Sequence, residues 1–169
     1  MGEIHLDAGE RDRAIDLQRK AAKVTPNNAD ILANLGFNVS LFGDPKIGLP
    51  LVERAMRISL KYPNWYLSAL GWTYYMMGDY SRAIDAPLAR HKIIPNSELP
   101  ISYLLIAYSA AGQLEQGRKM AAKLRKIVPD YTTSNFADLA GGWFKPRTFK
   151  QIIAHMEAAG IENDLKAKL

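Results

Sequence analysis

Four glycines recur at nearly constant intervals. Gly9, Gly43, Gly78 and Gly112 are separated by 34, 35 and 34 residues. The small residues Ala14, Gly48, Ala83 and Gly117 each follow five positions later. The context repeats as well, as Ala8-Gly9-Glu10, Phe42-Gly43-Asp44, Met77-Gly78-Asp79 and Ala111-Gly112-Gln113. Pro26, Pro63, Pro95 and Pro129 close the four units, with Pro63 displaced by extra chain at Leu60-Lys61-Tyr62. A fixed period of this size marks a supersecondary unit that cannot bury its apolar face alone and must stack on its neighbours.

Each unit reads as helix, turn, helix. Apolar residues flank every phased glycine at helical spacing. Glycine at the junction can adopt the left-handed conformation that ends the first helix. The small residue five positions on lets two helix backbones approach, and proline closes the second helix. The spacing predicts helices over 11–24, 29–42, 46–60, 65–77, 80–93, 98–111 and 114–127, with residues 1–8 as the stump of a preceding helix. Pro50 and Pro87 fall inside second helices, where proline removes a hydrogen bond and clashes with the preceding turn. Pro50, soon after Gly48, lies near enough to a helix start to be tolerated. Pro87, six residues after an expected N-cap at Ser81, predicts a kink.

The unit resembles the tetratricopeptide repeat (TPR), whose period is roughly 34 residues. Leu35, Gly36, Leu70, Gly71, Tyr74, Tyr108, Ala21 and Ala55 match its small and aromatic positions. Leu105 and Leu124 depart from it, standing where smaller residues are usual. The resemblance implies an all-α fold: a right-handed TPR α-α superhelix of antiparallel helix pairs with a C-terminal capping segment. The expected organisation is a TPR array over 1–129, made of a partial repeat 1–28 and repeats 29–63, 64–97 and 98–131. A capping segment over 130–160 and a frayed end over 161–169 follow.

The capping segment carries its own signals. Thr133–Leu139 is a short helix candidate broken by Gly141-Gly142. Trp143-Phe144-Lys145-Pro146 supplies aromatic anchors, and Pro146 opens a last helix with Phe149, Ile152, Ile153 and Met156 on one face, ended by Gly160. The stretch from Tyr62 to Gly71 is similar to TPR regions C-terminal to bacterial class III adenylate/guanylate cyclase domains. Phe136 through Ile161 is similar to the closing segment of those proteins. This resemblance implies a regulatory part of a longer signalling protein whose cyclase domain lies elsewhere. Similar tails on winged-helix transcription regulators give the alternative parent. A cytoplasmic location is expected, with a parent that is soluble or membrane-attached.

Composition excludes several chemistries. The 169 residues include no Cys, so disulfides, thiolate–zinc sites and thiol catalysis are excluded together. No apolar run approaches the roughly 20 residues that span a bilayer. His5, His91 and His155 fall on separate elements with no ligand spacing. There is no phosphate-cradling loop ending in Lys and no nucleophile elbow. The reading is a non-enzyme without cofactor or metal.

Charge narrows the class of partner. The net charge is +5, yet the expected helices 29–42, 65–77 and 98–111 contain no Lys or Arg. The resemblance places these first helices on the concave groove and the basic second helices on the back. A basic groove for nucleic acid needs clustered cations beside stacking aromatics. Only weak, salt-sensitive, non-specific nucleic-acid binding is therefore expected.

The TPR positions that face the groove are instead aromatic and uncharged. They predict a trough centred on the third repeat, with Phe37, Leu41, Trp65, Ser68, Trp72, Tyr75, Met76 and Ile106 as partner-binding residues. An open apolar patch of that kind calls for a cover. Three occupants fit: an external peptide or helix, the chain's own tail through Trp143, Phe144 and Phe149, or a second copy in a homodimer. The function expected is a protein–protein interaction and regulatory module.

Overall fold

The computed structural model describes residues 8–165. Among them are nine α-helices: α1 (Ala8–Val24), α2 (Ala29–Phe42), α3 (Pro45–Ile58), α4 (Trp65–Met76), α5 (Tyr80–Ile93), α6 (Glu98–Ala110), α7 (Leu114–Ile127), α8 (Thr133–Ala140) and α9 (Pro146–Ala158). A single 3₁₀ turn, Gly141–Trp143, follows α8. The boundaries of α2 to α7 fall within two residues of those predicted. The chain divides into two compact units, Met1–Ala86 and Pro87–Leu169. The division lies inside α5, at the proline whose missing N–H interrupts the helical hydrogen-bond ladder.

In the first unit, α2 packs against α1, α3 and α4, and α3 also meets α4. Sequence-coded caps start these helices. The Asn28 side chain accepts from the Ile31 N–H at 3.1 Å, and Asp44 accepts from the Lys46 N–H at 2.8 Å ahead of Pro45. Such caps satisfy backbone donors that have no partner within the helix. Asp79, rather than the expected Ser81, caps α5, accepting from the Arg82 N–H at 3.1 Å. The cap therefore lies two residues earlier than the hydroxyl suggested, and the helix starts at Tyr80.

The α2–α3 pair depends on two glycines. A methyl group added at Gly36 would lie 2.8 Å from the Gly48 carbonyl oxygen and 2.9 Å from the Val52 nitrogen. One added at Gly48 would overlap Ser40 Oγ and the Gly36 carbonyl oxygen. The predicted close approach is thus glycine on glycine here. Pro50 sits within α3.

The phased glycines do not all serve one purpose. Gly78 and Gly112 take positive φ, +76° and +74°, as helix-ending residues. Gly43 does not: its φ is −124°, because a single residue separates α2 from the capping Asp44. Gly9 lies within the first turn of α1, since glycine permits the left-handed conformation without demanding it. Of the expected helical stump over residues 1–8, residues 1–7 lie outside the described residues and Ala8 is the first residue of α1.

In the second unit, α6 packs on α7 and α9. Ile101, Leu104, Leu105 and Ile106 of α6 are fully buried, as are Leu124 of α7 and Ile152 and Met156 of α9. The bulky departures at Leu105 and Leu124 are thus core residues. Phe136 and Phe144 stack at 6.3 Å between centroids. α8 begins with a reciprocal cap in which the Thr132 N–H donates to Asn135 Oδ1 at 2.8 Å.

The chain end is not frayed through residue 165. Ile161 is buried, the Thr133 N–H donates to the Glu162 carbonyl at 3.0 Å, and Asp164 accepts from the Ser134 N–H at 2.9 Å. The carboxylate satisfies one backbone donor and the Thr133 hydroxyl at the start of α8, a contact that short-range charge counting misses. The remainder of the expected frayed end, 166–169, lies outside the described residues.

Candidate protein-interaction site

Five of the eight predicted trough residues are buried: Leu41 (2% exposed), Trp72 (3%), Ser68 (7%), Tyr75 (7%) and Ile106 (0%). Phe37, Trp65 and Met76 are half-buried. The physical reason lies in α4, where Tyr66–Ala69 and Gly71–Tyr75 are buried in succession. A helix apolar on all sides belongs inside the protein rather than at a groove. Inward-pointing repeat positions are here core positions for most of their length.

Ring geometry holds the α4 aromatics. The Trp72 ring meets Tyr75 edge-on at 5.1 Å and 77°, and Tyr75 lies 5.6 Å from Tyr80. Burial, then the neighbouring Tyr80, pushes the Tyr75 phenol above its ordinary pKa. A buried hydroxyl link joins α2 to α4, with Thr73 Oγ1 and Ser40 Oγ 2.9 Å apart. Tyr66 donates to Asp30 Oδ1 at 2.7 Å. Burial and then that carboxylate raise its pKa too. This pair escaped the sequence reading because its partners are 36 residues apart.

The accessible remainder in the first unit is Phe37 on α2 with Trp65 and Met76 on α4. Trp65 meets Tyr66 edge-on at 4.5 Å and packs against the cluster of Leu32, Ala33, Ala55 and Tyr66. The α2 amides Asn34 and Asn38 are engaged within the fold. Asn34 donates to the Asp30 carbonyl at 2.9 Å, and Asn38 donates to Gln18 at 3.0 Å. Of the tail aromatics, Phe144 is buried in the second unit while Trp143 is 37% exposed.

Charge is divided unevenly. Residues 1–86 carry ten Lys/Arg and ten Asp/Glu, whereas residues 87–169 carry twelve and seven. The whole excess therefore belongs to the second unit. Among the described residues, no group of three or more His, Asp or Glu side chains is placed to hold a metal ion. No helix among them is long and apolar enough to cross a membrane.

These features define an all-α TPR-type fold of packed antiparallel helix pairs. No protein-family model matches the sequence, and no curated protein matches it. Solved structures do match. A crystal structure of MamA, a TPR protein, aligns at TM-score 0.65 and 19% identity, covering 100% of this chain and 99% of that one. MamA 41-end from Desulfovibrio magneticus RS-1 aligns at TM-score 0.64 and 15% identity, covering 89% of this chain and 86% of that one. MamA MSR-1 C2 aligns at TM-score 0.63 and 16% identity, covering 97% and 91%. At these identities the likeness is one of fold. The cyclase relation implied by the sequence has no counterpart among these matches.

Proposed function

We propose that the chain is a non-catalytic protein-interaction scaffold that grips an apolar peptide or helix through Phe37, Trp65 and Met76. The observation that carries this reading is the half-buried Trp65, a large anchor seated on the first unit's core and not enclosed by it. Tryptophan is typical of the few residues that dominate binding energy, each costing about 2 kcal/mol or more when truncated. The absence of Lys and Arg from α2 and α4 favours an uncharged contact. Of the remaining predicted residues, Leu41, Ser68, Trp72 and Tyr75 are buried residues of the first unit and Ile106 is a buried residue of the second.

Selection from a random peptide library, followed by fluorescence titration, tests the reading. Enriched apolar peptides should bind the wild type and lose about tenfold or more in affinity on Trp65→Ala, with helicity unchanged. Failure to enrich any peptide, or equal binding by Trp65→Ala, overturns it. The narrower reading, in which the module regulates a class III nucleotide cyclase, rests on the sequence resemblance of residues 62–71 and 136–161. It expects the purified 169 residues to convert neither ATP nor GTP.

A further inference from the structure

We infer that the exposed face of α7 is a second docking surface, made for an acidic helix of a partner protein. Arg118, Lys119, Arg125 and Lys126 are all exposed, with exposed Ala122 among them. At 100° per residue these five positions fall within one arc of about 120°. Arg118 and Arg125, like Lys119 and Lys126, are seven residues apart, so each pair repeats along the helix at about 10.5 Å. The result is a rectangle of four cations around a single methyl group, and the small centre permits close approach of another backbone.

The excess charge of the second unit makes this face an electrostatic target, since neighbouring charge reinforces it. Arg118 and Lys126 have no partner among the described residues, whereas Lys119 pairs with Glu115 at 2.8 Å and Arg125 donates to the Gly160 carbonyl.

Spacing and composition select the occupant. An α-helix with carboxylates repeated every seven residues matches the rectangle's pitch of about 10.5 Å. Complementary fields of this kind set register and partner choice more than raw affinity. Single-stranded nucleic acid is disfavoured because the stripe carries no aromatic side chain on which bases could stack, and Glu115 stands at one end of it. A bilayer surface is disfavoured because α7 exposes no large apolar residue for insertion. The inference rests on reading the chain as a protein-binding module, but it uses a face without any residue of the Trp65 surface.

The test is fluorescence anisotropy on the full chain at physiological salt. The probe is a labelled 21-residue helical peptide bearing glutamate pairs every seven residues. Comparison probes are the same composition with scrambled spacing, a 15-base-pair DNA duplex, a single-stranded oligonucleotide and vesicles containing phosphatidylglycerol. The heptad peptide should bind at least tenfold more tightly than its scrambled form and more tightly than the other probes. The Arg118→Gln/Lys126→Gln variant, which breaks no contact within the fold, should lose at least tenfold while melting as the wild type. Equal binding of scrambled and heptad peptides, stronger binding of a nucleic acid or the vesicles, or an unaffected variant would each overturn the inference. Self-association of the chain that depends on the same two residues would also overturn it. Trp65→Ala should leave the acidic peptide bound, so failure of the apolar site and failure of this one are read separately.

Discussion

Replacing Gly48 by alanine is the sharpest test of how the first unit is held together. In an unhindered helix, Gly→Ala gains about 1 kcal/mol from backbone propensity. At Gly48 the new methyl group would overlap the Gly36 carbonyl oxygen and Ser40 Oγ. Ser40 is fully buried and donates to that same carbonyl at 2.7 Å. Backbone cannot rotate away as a side chain can, so α2 and α3 must separate. Overpacking of this kind costs ~1–3 kcal/mol, and a backbone obstacle belongs at the upper end. Subtracting the propensity gain leaves a net loss of about 2 kcal/mol.

For a chain of this length that loss lowers the melting temperature by about 4–8 °C. Gly117→Ala is the matched control. Its methyl group would meet Ser109 Oγ at 2.8 Å, but Ala159 Cβ at 3.4 Å and the Leu105 carbonyl only at 3.6 Å. One hydroxyl rotation makes room, so this variant should be neutral or up to about 1 kcal/mol more stable. Urea titrations followed by far-UV circular dichroism and by Trp fluorescence measure both. A Gly48→Ala protein as stable as wild type, or a Gly117→Ala protein that loses more than Gly48→Ala, would refute the reasoning.

Trp72→Ala should cost about 3–5 kcal/mol, the usual toll for truncating a large buried side chain, and a melt within 2 °C of wild type would return Trp72 to the list of open groove residues. Asp164 should report on the chain end. Partial desolvation pushes its carboxyl up, but hydrogen bonds from the Ser134 side chain and N–H, Thr132 and Thr133 outweigh it and leave the pKa at about 2. A carboxyl with a depressed folded pKa stabilises above its unfolded value, about 3.9, and loses that contribution as pH falls toward 2. Hydrogen exchange of residues 161–165 should therefore accelerate across that window, and Asp164→Asn should remove the dependence. His91 and His155 act at milder acidity. Burial, then Lys123, holds the His91 pKa below its ordinary value, and burial does the same for His155. Neutral His91 accepts from Lys123 at 2.7 Å. Their stabilisation is complete above about pH 6.5 and fades below it. The melting temperature should fall from pH 7 to pH 5, less steeply in a Lys123→Met variant.

Local chemistry was legible in the sequence wherever it acts through neighbours on the chain. Gly43, Gly78, Gly112 and Pro146 mark helix ends because a cap or a break is decided within about four residues. Period and turn chemistry together therefore yielded the helix order and the TPR-type fold. Asp79 against Ser81 shows the limit of that reading, since two polar residues near one helix start compete and the local geometry chooses.

The candidate site was legible as a set of residue types and not as a surface. Phe37, Trp65 and Trp72 are equivalent large apolar residues at inward repeat positions, but only packing decides that Trp72 is enclosed while Phe37 and Trp65 stay half open. The same holds for Asp164, which sequence places in a charged tail and the structure ties to the start of α8. The stripe on α7 is intermediate: its cations and their seven-residue spacing stand in the sequence, while their exposure is a tertiary fact. Periodicity determines which side of a helix is apolar. What covers that side depends on elements many residues away, and no local pattern encodes them.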